Sequence, residues 1–168
     1  MLSENLQQEL IIHLNGKMLY KTLPFNYFNL EFLLDITFVL KKDTFTVGQS
    51  LFEEGDQGDH LHFITKGNVS IQHKKTKTFI KEISYDTFVG ELSFFSGKPR
   101  RASAKSRSFT EALTLYLSDF LEAGAKYQNQ IKKFERIKQT VNERRSYGIL
   151  GVACYICQET GHISVDCP

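Results

Sequence analysis

The sequence predicts an α+β fold: an antiparallel β-roll, jelly-roll-like, flanked by N-terminal and C-terminal helices, with a small cysteine-bearing unit behind it. Three observations predict it. Short β-branched or aromatic runs recur between Ile36 and Leu117, separated by Gly, Asp, Asn or Lys turns, which is the pattern of a small antiparallel roll or barrel. Apolar residues at helical spacing occupy the two flanks. All three cysteines fall within the last fifteen residues, so nothing resembles the disulfide framework of a secreted domain. A length of 168 residues gives room for one ordinary domain and an appendage, and 41% hydrophobic residues with fourteen Phe argue for a real core.

Leu2, Leu6, Leu10, Ile11, Leu14 and Met18 make one apolar helical stripe, with Ser3 placed to cap and Glu4 in the first turn. Pro24 ends that helix, and Asn29 to Leu34 reads as a second short one. Strands are expected at Ile36–Leu40, Leu61–Ile64, Val69–His73, Phe79–Ile83 and Leu113–Leu117. Ser118, Asp119 and Phe120 can open a helix, and Ile131, Phe134, Ile137 and Val141 carry a second to about Ser146. His13, His60, His62 and His73 stand without partners at metal-ligand spacing and are read as structural or surface residues.

The formal net charge of +2 is too small to demand a polyanionic partner, but it is unevenly placed. Lys98 to Arg107 holds five basic and no acidic residues, and Lys126 to Arg145 holds seven basic against Glu135 and Glu143. No apolar run approaches a transmembrane span, and the N-terminus lacks a basic-then-apolar signal pattern, so a soluble, intracellular chain is expected.

The stretch Val89 to Ala104 carries the chemistry. Gly90 has no side chain to hold a ligand off the backbone, and Glu91-Leu92-Ser93-Phe94-Phe95 fits a single helical turn closing at Gly97. Amides at the start of such a turn suit an anion, and Arg100 can close the other side with a planar fork of donors. Glu91 suits a sugar hydroxyl rather than a phosphate, so the pair suggests phosphate and ribose held side by side. A surface helix and hairpin with solvated charges is the plainer alternative.

Gly90-Glu91-Leu92 followed by Pro99-Arg100-Arg101-Ala102-Ser103 resembles the phosphate-binding cassette of cyclic nucleotide-binding domains. Phe45 to Asp59 and Phe63 to Val69 are similar to the glycine-punctuated strands and turns of the same family, and the resemblance covers roughly residues 21 to 147. It implies that Glu91 accepts from the ribose 2′-hydroxyl, that Gly90 and Leu92 offer backbone contacts, and that Arg100 pairs with the cyclic phosphate. Ala102 and Ser103 would close the cassette. Arg101 stands where cGMP-responsive relatives often have threonine, which implies a modest preference for cAMP. The family's final helix folds over the bound base, so the stripe Phe134 to Val141 is expected to serve as core and lid. Residues 1–20, followed by Leu23-Pro24-Phe25, resemble the C-linker helix of the cyclic nucleotide-gated and hyperpolarization-activated channel members.

Cys154, Cys157, His162 and Cys167 have the spacing C-x2-C-x4-H-x4-C, three thiolates and an imidazole, the donor set a tetrahedral zinc prefers. Gly161 permits the tight turn, and too few apolar groups remain to fold the loop without metal. Residues 152–168 resemble a retroviral-type zinc knuckle, with Gln158 where many knuckles have glycine.

The expected function is therefore a cAMP- or cGMP-sensing regulatory module with one structural Zn2+. By resemblance it is the cytoplasmic gating part of a cation channel, with the transmembrane region or other subunits as partners and a possible tetramer through the N-terminal helix. No nucleophile–base pair, catalytic metal arrangement or carboxylate dyad appears, so an enzyme is not expected. Two alternatives stand beside it. One is a nucleic-acid-binding regulator working through the knuckle, where Tyr155 and Ile163 take the stacking positions. The knuckle's acidic loop, with Glu159 and Asp166 against no Lys or Arg, favours a protein or structural contact over single-stranded RNA or DNA. The other is a degenerate domain that binds no nucleotide, against which both Glu91 and Arg100 argue.

Overall fold

The computed structural model describes residues 3–168; Leu2, the first position of the N-terminal stripe, lies outside them. Helix α1 (Glu4–Tyr20) is capped as expected, with Ser3 Oγ accepting from the Leu6 amide at 3.4 Å. Its C-terminal end packs on α2 (Leu30–Val39), where Gly16 lets the helices close: a Cβ there would lie 2.6 Å from Leu34 Cδ2. The rest of the stripe finds no cover among the described residues. Leu6, Leu10, Ile11 and Leu14 are each about half exposed.

Asn29 caps α2 through its Oδ1, which accepts from the Phe32 amide at 2.9 Å. The strand expected at Ile36–Leu40 is instead mostly the second half of this helix. Phe32, Leu33 and Ile36 are fully buried at helical spacing, so tertiary packing decides what a β-branched and aromatic run left ambiguous.

Eight strands follow: β1 (Lys41–Phe45), β2 (Ser50–Phe52), β3 (His60–Lys66), β4 (Val69–Gln72), β5 (Phe79–Ile83), β6 (Thr87–Val89), β7 (Ser103–Ser106) and β8 (Thr110–Tyr116). They form two four-stranded antiparallel sheets, ordered β1-β8-β3-β6 and β2-β7-β4-β5. The expected closed roll is therefore not present: among the described residues no ladder joins one sheet to the other, and each keeps two open edges. Two of those edges, β2 and β6, are only three residues long, too short to carry the pairing that closure requires.

The core divides along the same lines. Ile64, Val69, Ile71, Val89, Ala104 and Ala112 belong to a cluster between the sheets. Leu61, Phe63, Phe88 and Leu115 point the other way and join the aromatic layer contributed by the helices. β3 is thus buried on both faces, sandwiched between helices and the second sheet. The helical layer is completed by α3 (Glu91–Ser96), α4 (Leu117–Gly124) and α5 (Gln128–Glu143), the last two being the consecutive helices expected from the sequence.

One polar chain crosses the first sheet. His62 Nδ1 lies 2.8 Å from Thr114 Oγ1, which donates to Asp43 Oδ2 at 2.5 Å, so β3, β8 and β1 are tied side chain to side chain. Burial, helped by the nearby positive charges of His60 and Arg100, holds the His62 imidazole down to about 3. The folded value lies below the unfolded reference of about 6.5, so between the two the unfolded chain binds more protons and stability rises with pH. His62 should therefore contribute fully above about pH 6.5 and lose up to about 1.4 kcal/mol per pH unit as pH falls through that window. Urea midpoints at pH 5, 6 and 7 should fall more steeply in the wild type than in His62→Gln. Parallel slopes in the two proteins would remove His62 as the cause.

Candidate ligand site and cysteine knuckle

β6 delivers the chain to Gly90, whose φ of +94° is left-handed, and there a Cβ would lie 2.5 Å from Arg100 Nη1. Two requirements, backbone conformation and close approach, both call for glycine. α3 then runs for six residues and stops at Gly97, also left-handed, whose amide bonds the Ser93 carbonyl at 2.9 Å. The short turn predicted from the sequence is therefore present with both of its glycines in use.

The return segment brings Arg100 under Gly90. Its backbone is fixed on either side: the Arg100 amide donates to Asp56 O at 2.8 Å, and the Gly55 amide donates to Arg100 O at 2.9 Å. The side chain is only 3% exposed. Nη1 donates to Gly90 O at 2.8 Å, Nη2 donates to His60 O, and the guanidinium lies 4.1 Å from the Phe52 ring centroid. Nε has no partner among the described residues. Burial lowers the guanidinium to about 10, against the opposing pull of Asp59, Glu91 and Asp56, so it remains cationic at neutral pH. Glu91 is half-buried beside it, and desolvation pushes its carboxyl up although Arg100 and Lys81 oppose the shift. A buried cation with a spare donor and a partly desolvated acid on one wall can hold an anion next to a hydroxyl-bearing group.

Both groups open onto a cavity of about 170 Å³. Six of the seven cassette residues read from the sequence line it: Gly90, Glu91, Leu92, Arg100, Arg101 and Ala102. Ser103 does not. It lies behind the wall at the start of β7, accepting from the Glu54 amide at 2.9 Å and donating to Glu53 Oε2 at 3.1 Å. Ile71, Ile80, Ile83 and Val89 supply an apolar wall, with His73 and Phe52 beside it. Val89 opens the stretch singled out in the sequence and Phe52 falls within the Phe45–Asp59 resemblance, whereas Ile71, His73, Ile80 and Ile83 are marked only by their strand pattern.

The opposite wall differs from expectation. No residue of α5 lines the cavity; Phe134, Ile137 and Val141 are buried in the aromatic layer, with Phe134 5.5 Å from Phe95 and 5.3 Å from Phe120 by ring centroids. In their place stand Val152, Ala153, Tyr155, Ile163 and Ser164, all from the knuckle. Nothing local in the sequence shows on which surface a separate small unit docks.

Within the knuckle, the ligand atoms of Cys154, Cys157, His162 and Cys167 all lie within 4.8 Å of one another, and Cys157 Sγ is 3.3 Å from His162 Nε2. A tetrahedral ion with bonds near 2.3 Å places its ligands about 3.8 Å apart, so these residues fit zinc. Left-handed Gln158 and Gly161 shape the loop, whose Cys154 amide donates to Glu159 O at 2.8 Å. The unit is tied back by the Tyr147 amide to Gly161 O at 3.4 Å and by Arg145 to Asp166 at 3.0 Å.

A glycine-bracketed turn, a buried arginine and an acid stand around one cavity, on two open sheets with helices behind. The chain belongs to the cyclic nucleotide-binding domain family, whose model matches residues 42–127, and it carries a C-terminal CCHC zinc-knuckle motif matched over residues 152–168. Both are regulatory or binding modules rather than catalytic ones. Among curated proteins it is 28% identical over 113 residues to a cyclic nucleotide-gated potassium channel of Rhizobium etli, covering 67% of this chain and 30% of the channel. It is 24% identical over 140 residues to cyclic nucleotide-gated channel alpha-3 of Homo sapiens, covering 80% of this chain and 20% of the channel. The chain thus spans less than a third of either relative. Among solved structures, a cyclic nucleotide-binding-like protein from Brucella abortus shares the fold at a TM-score of 0.58 and 21% identity, covering 65% of this chain and 96% of that one. A cAMP-bound PfPKA-R chain does so at 0.57 and 20%, covering 82% and 48% respectively.

Proposed function

We propose that the chain senses a cyclic nucleotide, cAMP or cGMP, as the cytoplasmic gating module of a cation channel. The observation that carries this reading is the convergence of Gly90, Glu91 and Arg100 on one cavity, with Arg100 buried, cationic and holding a free Nε donor. Arg100 takes the cyclic phosphate, Glu91 accepts from the ribose 2′-hydroxyl, Gly90 and Leu92 give backbone contacts, and Arg101 and Ala102 form the rim. Ser103 acts from behind, holding Glu53, Glu54 and the turn that follows β2 in place.

The channel part of the reading draws on similarity to channels at 24–28% identity and on α1. Its uncovered face of Leu6, Leu10, Ile11 and Leu14 suits a transmembrane region's cytoplasmic extension or a neighbouring subunit, including a tetramer. Among the described residues no helix is long and apolar enough to cross a membrane. Calorimetric titration of the zinc-loaded chain with cAMP and cGMP tests the proposal. Saturable binding of either at one site per chain is expected; heat of dilution alone for both would overturn it.

The knuckle takes one structural zinc. Metal analysis should return one zinc per chain, and a chelator should release amide-exchange protection from about Cys154 onward while leaving the two sheets protected. A chain purified without metal, whose thiols stay reactive when zinc is restored, would contradict this.

A further inference from the structure

The cavity has two faces contributed by two different folding units. On one side Ile71, Ile80 and Ile83 rise from β4 and β5; on the other stand Val152, Tyr155 and Ile163 of the knuckle. Ile163 is 8% exposed and joins the main core, so the knuckle is seated on the domain rather than tethered beside it. No residue of α5 lines this side, because Phe134 is committed to Phe94, Phe95 and Phe120 and its neighbours Ile137 and Val141 are buried in the same core. Without residues 152–164 the isoleucine wall would be an open groove, and a flat heteroaromatic ring lying on it would keep one face in water. Binding sites for small ligands bury most of the ligand's surface between apolar walls and fix it with a few polar groups.

We infer that the zinc knuckle is the second wall of the nucleotide site, with the Tyr155 ring packing on the purine that Ile71, Ile80 and Ile83 support from below. This rests on the reading that the Arg100 end of the cavity holds a cyclic nucleotide. The chemistry suits the position. Tyr155 is 40% exposed, so its ring is not consumed by the core and remains available to a ligand. Aromatic rings stack on any nucleobase, which needs no matched hydrogen bonds. Glu91 and Arg100 lie at the polar end of the same cavity, so one molecule with a charged phosphate, a sugar and a flat base meets all three kinds of surface. The knuckle's folding depends on its metal ligands, which makes the wall conditional: a chain unable to hold the metal keeps its cassette and loses its cover.

The test uses the full zinc-loaded chain and titration with cAMP. Tyr155→Ala is expected to weaken binding roughly five- to 150-fold while zinc stays at one per chain, and Tyr155→Phe to stay within about three-fold of wild type. Cys157→Ser, which cannot complete the metal site, should weaken cAMP at least as much as Tyr155→Ala. Wild-type affinity in both Tyr155→Ala and Cys157→Ser, with Arg100→Ala defective, would overturn this inference and leave the cassette reading standing. Tighter binding in either would also overturn it, since the knuckle would then occlude the site. A wild-type chain that binds no cyclic nucleotide would remove both readings together.

Discussion

Arg100→Ala is expected to weaken cyclic nucleotide binding by about 2 to 5 kcal/mol, roughly thirty-fold to several-thousand-fold. The phosphate would enter a desolvated pocket from which the buried Arg100 cation has gone, leaving its charge without that partner. The substitution also strips donors from Gly90 O and His60 O and removes the group stacked on Phe52, so some loss of fold stability should accompany it. Arg100→Lys separates these contributions. It keeps a charge but not the fork, and should recover part of the affinity without restoring both carbonyl contacts. Titration should be paired with circular dichroism to confirm folding. A folded Arg100→Ala chain within a few-fold of wild type would take Arg100 out of the site.

The largest stability effect is expected at Phe120. Its side chain is fully buried at the meeting point of three helices and the α2 approach, with ring centroids 5.6 Å from Phe28, 5.2 Å from Phe32, 5.8 Å from Phe94 and 5.3 Å from Phe134. Phe120→Ala should cost about 3 to 5 kcal/mol, because the surrounding rings belong to different elements and cannot collapse together into the space. Against a total of about 5 to 15 kcal/mol, that is enough to unfold a marginal chain. Phe38, 67% exposed on α2, is the control: its alanine variant should stay within about 0.5 kcal/mol of wild type. Equal urea midpoints for the two variants would show that the aromatic layer does not carry the stability assigned to it.

What could be read from the sequence follows physical locality. Gly90 and Gly97 announced the turn between them because their conformations are local demands that few other residues meet. The CCHC spacing was legible for the same reason, since four ligands of one ion must lie close in the chain. Ile36–Leu40 misled because five β-branched and large apolar residues carry no period of their own; burial of Phe32, Leu33 and Ile36 settled it. β7, Ser-Ala-Lys-Ser, carried no strand signal although it sits inside its sheet, because small residues suit a position covered on both sides. The closed roll failed because strand count does not reveal whether edges meet. The cavity's second wall stayed hidden because it is made by packing between units far apart in sequence.

That the sheets stay open leaves β1, β6, β2 and β5 as edge strands among the described residues, and an edge strand is a template on which a foreign strand can assemble. Each is blunted by different means. β1 presents Lys41 and Lys42, both exposed, and β5 presents exposed Lys81 and Glu82, so an incoming strand would have to bury or displace charge. β6 offers only three residues, and β2 offers three with its register broken between Ser50 and Phe52. Edge-to-edge aggregation is opposed at each of these borders, by charge on the two longer edge strands and by shortness on the other two.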